Sequence, residues 1–213
     1  MNALFANPSL AAFVLASLVL AATPGPGVFY ILARTLAQGR RAGLSSVAGV
    51  ALGNLANAIG ASIGVAALLA VSSLAFAIVK YAGAAYLVYL GIKVLGARSA
   101  VAAATFSEAD LLPIFRDGFV VALLNPKTAL FFAAFLPQFI DPAAPALLQG
   151  ALFGSLFVLI AVLTDSLYVL GASAVRPALS RLNGGREAGR YLSAGVLIGL
   201  GVLAALSGWR SGK

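Results

Sequence analysis

The chain has 213 residues, 62% of them hydrophobic and only 9% charged, with a mean hydropathy of +1.03. A water-soluble domain carries about 25% charged residues, so this composition excludes a surface that faces water on all sides. The absence of both Cys and His excludes disulfide staples, Cys/His zinc sites and catalysis by thiol or imidazole. No cofactor or metal is expected. The net charge of +8 resembles that of a nucleic-acid binder, but the basic residues sit in short connections between apolar runs. Membrane proteins place them there, so no nucleic-acid partner is expected.

Six apolar segments follow one another, each near the roughly 20 residues needed to span a bilayer. The first covers 9–33. Residues 1–8 contain no Lys or Arg, so the basic start of a secretory signal peptide is missing, and this segment is expected to remain as a span. It contains Thr23-Pro24-Gly25-Pro26-Gly27. Pro removes a backbone donor and clashes with the preceding turn. Two prolines with two glycines therefore predict a broken helix, and irregular backbone at membrane depth is tolerated only where protein or a cavity covers it. The alternative is a simple packing kink.

The second segment, 43–70, carries Gly49-x3-Gly53, a small-residue seam for close packing. Asn54 and Asn57 lie three residues apart and share a helical face. That face lines a pathway or makes hydrogen bonds between helices. The third segment, 73–95, contains Lys80, close enough to the outer end to reach the interface. It also contains Tyr81, Tyr86 and Tyr89, suited to an interfacial belt or to a cavity wall.

The fourth segment, 114–137, begins beside Arg116 and Asp117, read as interfacial anchors, and is interrupted at Asn125-Pro126-Lys127. Lys127 lies 11 residues beyond Arg116, roughly 16 Å at 1.5 Å per residue, near the bilayer centre. The fifth segment, 147–174, carries Gly150-x3-Gly154 and Asp165, which lies 11 residues before Arg176. A charge at that depth costs about 2.5–3.5 kcal/mol on insertion scales and by default marks function. Lys127 and Asp165 form a static ion pair that fixes register, or they serve transport. In the second case Asp165 is a proton site or an anchor for a substrate amine, and Lys127 is its partner or the carboxylate anchor. The sixth segment is 190–208.

Ten basic residues (Arg34, Arg40, Arg41, Lys93, Arg98, Arg116, Arg176, Arg181, Arg186 and Arg190) flank the connections on one side, against Arg210 and Lys213 on the other. The positive-inside rule places the ten in the cytoplasm and both termini outside, in a bacterial inner membrane. The remaining acidic residues (Glu108, Asp110, Asp117, Asp141 and Glu187) fall at connections or interfaces, which leaves Asp165 alone in the core. An embedded enzyme built on paired carboxylates or a metal has nothing to use there.

Six spans divide into two sets of three, so the second half runs opposite to the first. Local matches agree: Thr23-Pro24 with Asn125-Pro126, Gly49-x3-Gly53 with Gly150-x3-Gly154, and Lys80-Tyr81-x2-Ala84-x2-Leu87-x2-Leu90-Gly91 with Arg190-Tyr191-x2-Ala194-x2-Leu197-x2-Leu200-Gly201. Their offsets are 102, 101 and 110 residues, in order along the chain. The fold class expected is all-α integral membrane. The whole chain, 1–213, forms one transmembrane domain of two inverted three-helix repeats, near 1–97 and 113–210, with helices 1 and 4 interrupted by Pro. Interrupted segments at matching places mark the binding site of such transporters. The site residues expected are Thr23, Pro24, Gly25, Pro26, Gly27, Asn54, Asn57, Asn125, Pro126, Lys127 and Asp165, with Asp165 as the proton-coupling group.

The chain resembles the lysine-exporter and homoserine/threonine-resistance (LysE/RhtB) family of bacterial amino-acid exporters. The resemblance rests on Pro24-Gly25-Pro26-Gly27 and the region from Gly39 to Gly53. It continues through Ala82-Gly83-Ala84-Ala85-Tyr86-Leu87 with Leu90-Gly91-Ile92, then Asn125-Pro126-Lys127 with Phe131-Phe132 and Pro137-Gln138-Phe139, and ends at Asp165. It implies a six-helix module that exports amino acids in exchange for protons, with both breaks at the core of the site and Asp165 as the acidic residue of the fifth span. Many relatives carry Asp where this chain has Asn54, which bears on coupling stoichiometry and on the handling of cationic substrates. The rival reading is a passive channel or facilitator for small zwitterionic solutes. The small-residue seams also allow a homodimer.

Overall fold

The structure, a computed structural model, describes residues 8–64, 73–96, 111–140, 145–180 and 185–206. Among them there are eight α-helices and one 3-10 turn, and no strand. Helix α1 (Pro8–Ala22) and α2 (Pro26–Gln38) meet at 47° across residues 23–25. Helix α3 (Arg40–Ser62) follows at once, then α4 (Ser73–Gly96), α5 (Leu111–Leu123) and α6 (Pro126–Phe135). A 3-10 turn (Leu136–Phe139) leads to α7 (Ala146–Ser180) and α8 (Gly185–Leu206).

Prolines set two of these starts. Pro26 and Pro126 stand at the first position of α2 and α6, where a missing N–H costs nothing and the fixed φ suits the helix. The connection expected to hold Arg34, Arg40 and Arg41 shrinks to one residue. Gly39 turns the chain at φ 92°, a left-handed conformation that L side chains resist. Arg34 therefore lies inside α2 rather than in a loop. Parts of the second and sixth segments, 65–70 and 207–208, lie outside the described residues.

Among the described residues, two helices are long and apolar enough to cross a membrane, and three when the bent α1–α2 pair counts as one. A shorter apolar helix covers Tyr191–Leu206. With 13 and 10 residues, α5 and α6 are each too short to span alone. The outward side chains are apolar: Leu152, Leu159, Leu163 and Leu167 run down the exposed face of α7. Such a face fits hydrocarbon, because the backbone groups in the body of a helix are satisfied within it.

Helix α3 is central, packed on α5 and α7, while α4 packs on α8 and α2 touches α3, α7 and α8. The glycine seams sit where helices approach most closely. A Cβ at Gly49 or Gly53 would run into the carbonyls of Phe115 or Phe119 on α5, and one at Gly150 or Gly154 into Ser62 or Ala58 of α3. The α4–α8 contact is reciprocal. A Cβ at Gly91 would meet Ile198 and the Ala194 carbonyl, and one at Gly201 would meet Val88 and the Ala84 carbonyl. Each partner is displaced by the same 110 residues. Small residues let membrane helices gain dispersion contact where no hydrophobic force acts between them.

Lys80 departs from its expected reach into water. It is buried, and its ammonium lies 5.1 Å from the Tyr81 ring centroid. Three apolar clusters fill the interior. One is aromatic and joins α1, α6 and α7 through Phe13, Phe131, Phe132 and Phe157. The second groups Tyr30, Leu87, Leu90, Val121 and Leu197, and the third Ile31, Val47, Val50, Ala122 and Val169.

Overpacking a close helix contact costs about 1–3 kcal/mol. Gly91→Ala and Gly201→Ala are therefore each expected to lower the thermal midpoint in detergent. Gly199→Ala, with nothing near its added carbon, is expected to leave the midpoint unchanged or raise it.

Candidate functional site

The two breaks leave helix ends inside the fold, and each end is handled differently. At the end of α1 the last carbonyls are free of helical partners. The Thr23 hydroxyl and amide bond the Val19 carbonyl at 2.6 and 3.1 Å. The Tyr168 hydroxyl donates to the Ala22 carbonyl at 2.9 Å. The Lys127 ammonium donates to the carbonyls of Leu20, at 3.0 Å, and of Thr23. A cation at this position also meets the negative end of the α1 dipole.

At the second break the ends are closed. The Asn57 amide donates to the Ala122 carbonyl at 2.8 Å, satisfying the end of α5. At the start of α6, the Asn125 side chain accepts from the Lys127 amide and donates to the Thr128 hydroxyl, both at 3.1 Å. The start of α2 has no such cap. Gly25 occupies the N-cap position in extended conformation with no side chain to offer, and Pro26 has no N–H. The first helical bond runs from the Phe29 amide to the Gly25 carbonyl at 3.0 Å. The amides of Gly27 and Val28 find no acceptor among the described residues.

These ends meet at a small cavity of about 40 Å³. Of the residues expected at the site, it brings together Thr23, Gly25, Gly27, Asn54, Asn125, Lys127 and Asp165. Thr128 joins them, and Leu20, Val50, Phe157 and Ala161 supply an apolar wall. Pro24, Pro26 and Pro126 shape the breaks without lining the cavity, and Asn57 serves the end of α5 instead. At 10–15 Å³ per water, the space holds about three water molecules, less than the smallest amino acid needs.

Two buried acceptors face this space without a partner. Asn54 is 6% exposed and its Oδ1 accepts no hydrogen bond. Asp165 is 5% exposed and makes no hydrogen bond or ion pair within the described residues. Lys127 and Asp165 thus share a cavity without forming a static pair, because the ammonium is engaged by α1. A buried acceptor left unpaired costs about 1–3 kcal/mol, so both await a donor. The cavity thus presents free amides and a cation, which suit an anion, beside a carboxylate and an amide oxygen, which suit a cation.

A second polar cluster was not foreseen from the sequence. Asp117, expected at the interface, is buried. It accepts from Arg34 at 2.9 Å and from the Tyr86 hydroxyl at 2.9 Å, with Lys93 at 3.7 Å. The Arg34 Nε donates to the Tyr30 hydroxyl at 3.1 Å, and that hydroxyl donates to the Ile114 carbonyl at 2.9 Å. Asp165 is therefore not the sole acidic residue of the core. A sequence signal existed in the spacing of Tyr30 and Arg34, four apart on one helical face. It stayed hidden because Arg34 reads as the start of a loop.

Comparison with known proteins gives the family. The family model for LysE type translocators matches residues 18–208. An uncharacterized membrane protein of Vibrio cholerae is 34% identical over 171 residues, covering 80% of this chain and 82% of its own. A homoserine/homoserine lactone efflux protein of Salmonella typhimurium is 35% identical over 144 residues, covering 67% of this chain and 70% of its own. A leucine efflux protein of Salmonella choleraesuis is 35% identical over 135 residues, covering 62% and 64%. No solved structure matches. Apolar helices, the matched span and these relatives together make the chain a multi-pass membrane protein and a transporter rather than an enzyme, and it belongs to the LysE type translocator family.

Proposed function

We propose that this protein is a secondary active exporter of amino acids or close derivatives across the bacterial inner membrane, driven by protons. The observation that carries the reading is the cavity lined by the uncapped start of α2, the unpartnered Asn54 Oδ1 and the buried Asp165 carboxylate. The substrate carboxylate meets the amides of Gly27 and Val28, where a helix start favours an anion. Its ammonium meets Asp165 and Asn54 Oδ1. Lys127 closes the end of α1 and adds positive charge beside the carboxylate. Relatives named for homoserine and leucine efflux support an amino-acid substrate.

The architecture proposed is six spans in two inverted halves forming one domain, near 1–97 and 113–210. The α1–α2 pair makes the first span and the α5–α6 pair the fourth. The reciprocal Gly91 and Gly201 contacts support it, since a two-fold relation makes paired contacts mutual. The excess of basic residues at one end supports a cytoplasmic placement there, with both termini outside.

A cavity too small for its substrate supports a carrier over an open channel. Substrate enters from the cytoplasm after one side of the fold opens, binds near the midplane, and leaves on the other side. Protonation of Asp165 from outside then releases its hold on the amine and resets the carrier.

In proteoliposomes preloaded with labelled amino acids, efflux is expected to accelerate when the outside is made acidic. Asp165→Asn is expected to abolish that acceleration, and full gradient-driven export by this variant would remove Asp165 from coupling. Asn54→Leu takes away one acceptor for a charged donor and is expected to raise KM by about tenfold with the protein still folded. Lys127→Met strands two carbonyls of α1. It is expected to lower both transport and thermal stability, the latter by about 1–3 kcal/mol.

A further inference from the structure

Between the cavity and the basic-rich end of the molecule, helix α2 carries Tyr30 and Arg34. Arg34 lies seven residues past Gly27, roughly 10 Å farther along the helix. There Asp117 of α5 holds Arg34 of α2 at 2.9 Å, the Tyr86 hydroxyl of α4 at 2.9 Å and the Lys93 ammonium of α4 at 3.7 Å. One carboxylate thus ties together elements from both halves of the chain. The site is buried, but Lys93 stays half-exposed, so the cluster reaches from the interior to the surface.

The opposite side of the cavity is closed differently. Phe157 lines the cavity and packs edge-on against Phe132 within the aromatic cluster. That seal is dry and made of dispersion contacts. The Asp117 seal is made of charge, and a buried ion pair contributes little net stability because desolvation offsets attraction. Its geometry matters more than its energy: such a pair breaks when its helices move apart, and hydration of the separated groups offsets the loss.

We propose that the Arg34–Asp117 pair, with Tyr86 and Lys93, is the gate that closes the binding cavity toward the basic-rich mouth, and that export requires it to part. This rests on the carrier reading above. It assigns Arg34, Tyr86, Lys93 and Asp117 to the transport cycle as groups that hold a state rather than touch substrate. Tyr30 sits beneath the pair as its apolar plug, buried among Leu87, Leu90 and Val121.

The chain has no Cys, so a single Cys reports on access without background. Ala161→Cys places a thiol on the cavity wall. Its reaction with a membrane-impermeant thiol reagent is measured from each face, in right-side-out and inside-out vesicles, without substrate. Asp117→Asn in this background is expected to raise the labelling rate from the basic-rich face by about tenfold and to lower it from the other face. Tyr86→Phe deletes one hydrogen bond and leaves the ion pair, and it is expected to shift the rates in the same direction by about threefold. Exchanging the charges, with Arg34→Asp and Asp117→Arg together, is expected to return the rates toward those of the parent. If Asp117→Asn fails to insert, Tyr86→Phe carries the test. Labelling rates that stay the same from both faces in the folded variants would overturn the gate. Absence of amino-acid transport by the parent protein would instead overturn the exporter reading, and the labelling result would stand apart from it.

Discussion

Hydrocarbon cannot hydrogen-bond a peptide group, and the interior of this protein is arranged around that constraint. Two prolines and two glycines break the first apolar segment, and an Asn-Pro pair breaks the fourth. Each break frees carbonyls and amides that cost several kcal/mol apiece if left bare. Several of the carbonyls are met from other helices: Lys127 reaches those of Leu20 and Thr23 and Tyr168 that of Ala22 at the end of α1, and Asn57 reaches that of Ala122 at the end of α5. Asn125 turns back to cap α6. The start of α2 is the end left open, and it faces the cavity.

This division explains why Lys127 and Asp165 share a cavity yet do not pair. The ammonium is occupied by the dipole end and carbonyls of α1, so the carboxylate on α7 is left without a donor. A static pair would have neutralised both groups and closed the site. Separating them keeps a cation and an unpaired carboxylate within one small space. The same logic separates the two polar clusters. Asp117 is saturated by Arg34, Tyr86 and Lys93, which suits a group that holds helices in place. Asp165 and Asn54 are unsatisfied, which suits groups that receive a ligand.

Much of this was legible in the sequence because bilayers impose simple rules. Apolar runs of about 20 residues, basic residues at connections and Pro/Gly breaks are one-dimensional signals, and the segment expected at 73–95 matches α4 to one residue, whereas α3 ends at Ser62 and α7 runs past the expected 174 to Ser180. The breaks, Asn54, Lys127 and Asp165 were found because a polar group in an apolar run stands out. Partnership was not legible. Helical spacing says that Asn54 and Asn57 share a face, but not that one meets a cavity and the other a carbonyl 65 positions away. Arg34 and Asp117 look like interfacial charges because each borders a run of polar residues. Only the single-residue turn at Gly39, which extends α2 to Gln38, carries Arg34 into the protein. Burial of Lys80 has the same origin: depth along a helix is readable, whereas the neighbour at that depth is not.

We propose that a zwitterionic amino acid binds where α1, α2, α3, α6 and α7 meet and crosses with a moving site. Solute counterflow tests this most directly. Proteoliposomes loaded with a high concentration of one unlabelled amino acid are diluted into a trace of the same amino acid carrying label, with no pH gradient. The account predicts a transient accumulation of label above its equilibrium level for at least one amino acid, because a carrier exchanges one bound molecule for another. Label that rises to equilibrium without overshoot, for every amino acid that enters, would contradict the account and describe a channel.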